Sequence, residues 1–354
     1  MADVAKRAGV AVSTVSYALS GVRPVAEGTR QRILAAIAEL GYHPNLLARG
    51  LAGKHTRVVA LLYPSVVRGL SQVQLEFVNA AAQVASERNY ALLLWTSPGE
   101  DGEILRLTKE GLVEGLILME IKLHDPRVET LRTLGYPFCL IGHTQYNEGI
   151  SFVDFDFDGA MHQATRHLSA LGHRDIAYLI HSPVPIEQGY GPAVRSLAGV
   201  QAAAAENGIR ATVFVLEATT QAAYETTRAL LEDNPSPTAA VTTSDALCTG
   251  IMQAVRDHGL AIPDGFSIGA VLTSRFAEAM SPPITAVELP VAEMGRIGAD
   301  ILINRLEGGE HPPTQLVLPP QLTIRQSTAA PRQRPAPPDP ADSPLVARVA
   351  ELSD

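Results

Sequence analysis

With 354 residues and 46% hydrophobic content, the chain is long enough for two or three domains and a sizeable buried core. No apolar run is long enough to cross a bilayer and no secretion-type apolar stretch opens the chain, so a cytoplasmic protein without a membrane partner is expected. The net charge of −9 is unevenly spread: residues 1–57 carry eight Lys/Arg against three Asp/Glu, a net of +5, residues 331–354 carry −1, and 58–330 carries −13. A basic head on an acidic body suits contact with phosphates at one end only. Cys139 and Cys248 stand far apart in apolar contexts and read as buried free thiols. His162, His167 and His173 lack the spacing of metal ligands on one helix face. No phosphate-cradling glycine loop or nucleophile elbow appears, so no metal, cofactor or enzymatic activity is expected.

Residues 1–43 read as a three-helix unit. Val4, Ala5 and Ala8 recur at helical spacing, and Gly9 suits a tight turn that needs positive φ. Val15, Ala18 and Leu19 form the buried stripe of a second helix, which leaves Val12, Ser13, Ser16 and Tyr17 facing outward. Short polar side chains on the N-terminal half of an exposed helix can approach base edges in a major groove, although any small helical hairpin shares part of this pattern. After a Gly/Pro loop, GTRQRILAAIAELG forms an amphipathic helix in which Ile33, Leu34, Ile37 and Leu40 are expected to close the core and Gly41 to end the helix. Residues 44–57 read either as a plain linker or as a short hinge helix, marginal through its length and Gly50, that folds when docked.

From 58 to about 330 strands and helices alternate. The expected fold is α/β, with parallel sheets covered by helices on both faces and arranged as two lobes. The first series holds the strands RVVALLYP, ALLLWTS, GLILMEI and PFCLIGH; the second holds ISFVDFD, DIAYLIH, TVFVLEA, AAVTTSD and FSIGAVL. Ligands are expected at the C-terminal ends of such strands. Residues 331–354 are Pro-rich and expected to be largely disordered, with room for a short final helix.

Three segments, DVAKRAGVAVSTVSYALSG, AELGYHPNLLARGLAGK and HLSALGHRDIAYL, resemble in order the helix-turn-helix, the hinge and the mid-core signature of the lactose-repressor (LacI/GalR) family of bacterial transcription regulators. The resemblance runs from Met1 to about Arg325, with weaker echoes in TSDALCTGIMQAVRDHGLAIPDGFSI and PPITAVELPVAEMGRIGADILINRL. It implies an all-α helix-turn-helix head, a hinge helix and a two-lobed core like a periplasmic binding protein. It also implies a homodimeric repressor on a pseudo-palindromic operator in double-stranded DNA. Val12, Ser13 and Tyr17 fall on base-reading positions, with Thr14 and Ser16 at or near phosphate contacts. Asn45 to Gly53, including Ala48 and Arg49, would form a hinge helix in the minor groove, and Leu51 matches a leucine that wedges into a central step, typically C-G. An exposed Leu flanked by Arg49 and Lys54 suits such an apolar receptor. The tail shows no apolar heptads, which favours a dimer over a tetramer. Relatives carry residues ahead of the position that Met1 occupies, including a helix cap for which Asp3 is a partial substitute. Either the start lies upstream or DNA binding is weaker.

The family also implies a small effector between the lobes, and here the chain departs from the pattern. Ser196 stands where an Arg is usual, with Arg195 one place away; Ala218 or Thr219 replaces an aromatic near Glu217, and Leu272 replaces an Asp. A sugar pocket needs polar groups for hydroxyls and an aromatic plate, so a standard sugar effector is not expected. Polar candidates are His143, Asp156, Ser244, Asp245 and Arg275. Asp156 and Asp245 read equally as caps of the following helices, and His143 as a surface-loop residue. A repressor without any small effector, constitutive or gated by another protein, is the alternative. The basic head counts against a pure binding protein, and the missing catalytic motifs against an enzyme.

Overall fold

The computed structural model describes residues 1–20, 23–41, 56–63, 71–96, 101–109, 111–234, 236–308, 312–331 and 346–349. They divide into two units: Met1–Arg57 together with Leu107–Glu114, and Val58–Arg106 together with Gly115–Asp354. In the first, α1 (Ala2–Ala8), α2 (Val12–Ser20) and α3 (Glu27–Leu40) pack around Val4, Ala5, Ala8, Val15, Ile33 and Ala36. Gly9, at φ 65°, ends α1 and donates its N–H to the Ala5 carbonyl, as the turn requires. Arg7 of α1 pairs with Glu39 of α3 at 2.7 Å. Contrary to the sequence expectation, Leu34 and Leu40 are 48% and 45% exposed. The α3 stripe runs through Ile33, Ala36 and Ile37; Leu34 sits a hundred degrees round from Ile33, and Leu40 lies at the helix end.

The second unit carries two sheets. Sheet I, wholly parallel, has the order β11 (Gln315–Leu318), β5 (Phe152–Phe155), β4 (Phe138–Ile141), β3 (Gly115–Leu118), β1 (Val58–Leu62), β2 (Ala91–Trp95). Sheet II has the order β12 (Leu322–Thr323), β10 (Thr285–Glu288), β9 (Ser267–Leu272), β8 (Ala239–Thr242), β6 (Asp175–His181), β7 (Arg210–Leu216), β13 (Val346–Val349), and only β12 runs antiparallel. The strand ISFVDFD, assigned above to the second series, is β5 and belongs to sheet I beside β4. The residues 346–349, expected to be disordered or helical, form β13 and pair with β7. The pairing gives partners to an edge whose N–H and C=O groups would otherwise face outward.

Helices cover both sheets. α4 (Gln72–Glu87), α6 (Pro126–Leu134) and α12 (Val291–Leu306) belong to the lobe of sheet I, and α7 (Phe157–Ala170), α8 (Gly191–Asn207), α9 (Thr220–Asp233), α10 (Asp245–Asp257) and α11 (Ser274–Ala279) to that of sheet II; α5 (Asp101–Lys109) follows β2, and from Leu107 on it groups with the first unit. Ser71 and Gln74 close a capping box on α4, and Asp125 with Pro126 starts α6. The chain passes between lobes three times, after β5, after β10 and after β11. Three helix pairs meet at a glycine set against a carbonyl of the partner helix. A Cβ on Gly199 of α8 would lie 2.5 Å from the Asp158 oxygen of α7, and Gly295 of α12 stands 2.6 Å by the same measure from the Phe77 oxygen of α4. Gly250 of α10 meets the Thr220 carbonyl of α9 as closely.

Cys139 and Cys248 are buried free thiols, each pushed up to about 12 by burial. Three histidines have partners within the fold: His162 pairs with Glu206, His167 bonds Thr328, and His173 Nδ1 and Nε2 bond Thr238 Oγ1 at 2.7 Å and the Ala329 carbonyl at 2.9 Å. The neutral imidazole with its proton on Nε2 satisfies both His173 bonds. Burial lowers the pKa of His167 and of His173 below the ordinary 6.5. Their contribution to stability is therefore complete above 6.5 and is lost as pH falls through the lowered values. The urea midpoint should drop between pH 7.5 and 5.5, and the drop should shrink in His173→Gln. Gly199→Ala should cost roughly 1–3 kcal/mol of stability through overpacking. Gly28→Ala, with open space at its Cβ, should cost nothing; urea unfolding of both variants checks the contrast.

Candidate nucleic-acid interface and effector cleft

The outer face of α2 carries the residues singled out for base contact. Val12 is 48% exposed and Ser13 exposed, while Thr14, Ser16 and Tyr17 are half-buried beside the buried Val15. Val12 and Ser16, and likewise Ser13 and Tyr17, stand one helical turn apart on one face. The first turn of α2 contains no acidic residue that would offset its N-terminal dipole. The Arg23 guanidinium lies 5.3 Å from the Tyr17 ring centroid, a cation–π contact that steadies the aromatic. Asn45, Ala48, Arg49 and Leu51 lie outside the described residues.

The second unit holds a cavity of about 740 Å³ between its lobes. The strand ends build it. Tyr63 follows β1, Glu120 and Ile121 follow β3, Gly142 follows β4, and Asp154 belongs to β5. From sheet II come His181 at the end of β6, Glu217 after β7, Thr243, Ser244 and Asp245 after β8, and Leu272 and Thr273 after β9. Phe77, Phe157, Tyr190 and Phe276 add aromatic surface, and Gln74 an amide that donates to the Tyr63 hydroxyl. The Ser196 Oγ and His181 Nδ1 are buried in this wall with no partner among the described residues. Burial, opposed by the Leu216 carbonyl and by Asp245 and Glu217, keeps His181 below its ordinary pKa. Glu120 is raised above the usual carboxylate value by burial, with the Tyr63 hydroxyl and the charge of Arg127 opposing.

Of the sequence candidates, Ser196, Ser244, Asp245 and Leu272 line the cavity, and His143, Asp156, Arg195 and Arg275 do not. Asp156 is a cap, accepting from Gly159 N at 2.8 Å. Asp245 serves both readings, accepting from Ala246 N at 2.9 Å at the start of α10 while facing the cavity. Arg275 is 75% exposed and 3.9 Å from Glu76. His143 and Arg195 form a layer behind the wall: His143 Nδ1 lies 2.7 Å from Asp154 Oδ2, and Arg195 donates to the His143 carbonyl at 2.8 Å and lies 3.6 Å from Asp154. A shift of one residue on α8 turns the guanidinium about a hundred degrees away from Ser196. The aromatic and polar groups thought missing are therefore supplied from elsewhere, by Tyr63, Gln74, Phe77, Glu120 and Tyr190. Their sequence signal was position alone, since Tyr63 and Glu120 directly follow apolar strands.

One cleft wall is a short bridge between lobes. Leu123 N donates to the Gly189 carbonyl at 2.8 Å and Gly191 N to the Ile121 carbonyl at 3.0 Å, while Lys122 Nζ reaches Gln188 Oε1 at 3.1 Å. Among the described residues no helix is long and apolar enough to cross a membrane.

Residues 1–45 match the family model for bacterial regulatory proteins, lacI family, and residues 165–328 match the periplasmic binding protein-like domain. The HTH-type transcriptional regulator AglR of Rhizobium meliloti (strain 1021) is 32% identical over 347 residues, covering 95% of this chain and 96% of that protein. The solved complex of the transcriptional regulator CelR with cellobiose is similar at 29% identity and TM-score 0.69, over 92% of this chain and 98% of that one. The Lac repressor dimer bound to operator and the anti-inducer ONPF shares the fold, with TM-score 0.80 at 23% identity over 93% and 98% of the two chains. With similarity that spans head and core alike, the chain belongs to the LacI family of DNA-binding transcription regulators.

Proposed function

We propose that the protein is a repressor that binds a pseudo-palindromic operator as a homodimer, with operator affinity set by a small molecule held between the lobes. The observation that carries this reading is the cavity of about 740 Å³ at the strand ends of both sheets, with two buried polar atoms, Ser196 Oγ and His181 Nδ1, turned into it without partners. A ligand that contacts both lobes stabilises one degree of closure over another. Three chain crossings and the 121–123/189–191 bridge transmit that difference across the unit. On the DNA side, Val12 offers an apolar contact for a thymine methyl, and Ser13 and Tyr17 offer hydroxyls to base edges. The related CelR bound to cellobiose supports a ligand-responsive cleft. The reading without an effector draws on Ser196, Ala218 or Thr219, and Leu272; the aromatic and polar lining from Tyr63, Glu120 and Tyr190 weighs against it. A repressor acting on an operator would work in the cytoplasm.

Selection of randomised duplex DNA by the full-length protein near physiological salt should enrich a palindrome with a central C-G step. Absence of any sequence preference, with or without added metabolites, ends the repressor reading. Leu51→Ala should weaken operator affinity at least tenfold, in line with an unstacking wedge worth about a few kcal/mol, and leave the melting temperature unchanged. Undiminished affinity in a gel-shift titration removes the wedge role from Leu51.

A further inference from the structure

Among the described residues, the Asp, Glu, Lys and Arg side chains that line the cleft all have one sign. Glu120 and Asp154 line it from the lobe of sheet I and Glu217 and Asp245 from that of sheet II, and no Lys or Arg appears among the described residues that line it. Asp154 is compensated from behind: its Oδ2 meets His143 and Arg195, and its Oδ1 accepts from Phe155 N at 2.7 Å. Glu120 is partnered by the Tyr63 hydroxyl and by the charge of Arg127. Arg127 stands behind it, but that guanidinium gives its hydrogen bonds to Asp125 and to the Met119 and Glu120 carbonyls. Those bonds hold Glu120 at φ 53°, a left-handed conformation that a non-glycine residue keeps only when its surroundings fix it. The surroundings thus place this carboxyl at the cleft wall.

Carboxylates on opposite lobes of one cavity repel each other, and a cation set between them attracts both sides. The same wall carries Tyr63, Phe77 and Tyr190, faces that also favour a cation. The unpartnered Ser196 Oγ and His181 Nδ1 supply directional contacts for the ligand's remaining polar atoms. We propose that the cleft ligand carries a protonated nitrogen, as an amine on a ring or short chain, and draws the lobes together by bridging Glu120 to Asp245. The proposal rests on the effector reading above and narrows it to a chemical class.

The test uses the full chain and matched probes that differ in charge: glucose with glucosamine, cellobiose with the β-1,4-linked glucosamine disaccharide, and 1,4-butanediol with putrescine. In at least one pair the amine should bind by calorimetry at least tenfold more tightly than its neutral partner. That preference should be lost in both Glu120→Gln and Asp245→Asn. Glu120→Gln should melt no lower than the parent in the absence of probe, and Asp245→Asn, which keeps an oxygen to accept from Ala246 N, should leave the affinity of the neutral probes unchanged; both separate a ligand contact from a structural one. If in no pair the amine binds more tightly than its neutral partner, or if both variants leave the affinity of the preferred amine intact, the assignment is overturned. If a neutral probe still binds in that case and Ser196→Ala weakens it, the charge assignment falls and the effector reading stands. If no probe of either kind binds, the charge assignment falls.

Discussion

Parallel pairing is the constraint on which the rest of the second unit depends. A parallel strand cannot return by a hairpin, so each connection travels back over a sheet face, usually as a helix, and the C-terminal strand ends collect along one edge. In both sheets that edge borders the same cavity, which is why Tyr63, Glu120, His181, Glu217, Thr243 and Thr273, distant in sequence, share one wall. Three of the helix pairs made necessary by those returns then depend on Gly199, Gly250 and Gly295, which let helix backbones approach more closely than any side chain permits. The cavity is thus a by-product of how the sheets are closed, and its chemistry is left to the loops.

Those loops divide the chemical work unevenly. Asp154 is held from behind by His143 and Arg195, so the guanidinium next to Ser196 belongs to a supporting layer and not to the cavity wall. Glu120 takes its place by backbone geometry that Arg127 maintains. The head solves a simpler problem: a few small apolar residues close it, and the face of α2 opposite Val15 is left for contact.

What the sequence revealed follows the range of the interactions involved. The core of α1 and α2 was legible because Val4, Ala5, Ala8 and Val15 obey a local period and Gly9 a local turn. Leu34 and Leu40 misled because periodicity tells which residues share a face but not where the partner helix ends. The strand ISFVDFD was recognised, yet its sheet was not: membership depends on a crossing after Phe155 that no local pattern encodes. At the cleft, Ser244 and Asp245 were visible at the end of a strand, whereas Tyr190 and Gln74 come from segments with no signal until the lobes are assembled. Arg195 was found as a candidate but misplaced, since the direction of a helical side chain depends on how the whole helix is docked.

The bridge between residues 121–123 and 189–191 fixes an energy scale. Breaking the bridge would exchange its two backbone hydrogen bonds for bonds to water, and each such exchange costs about 0.5–1.5 kcal/mol net. Their sum, on the order of 1–3 kcal/mol, equals the usual size of a coupling between two binding sites. A much stronger bridge would hold the lobes shut whatever the metabolite concentration, and a much weaker one would leave them indifferent to it. Because Ile121 and Tyr190 of this bridge also line the cavity, substitutions at Gly189 or Gly191 would change that energy and the cleft wall together.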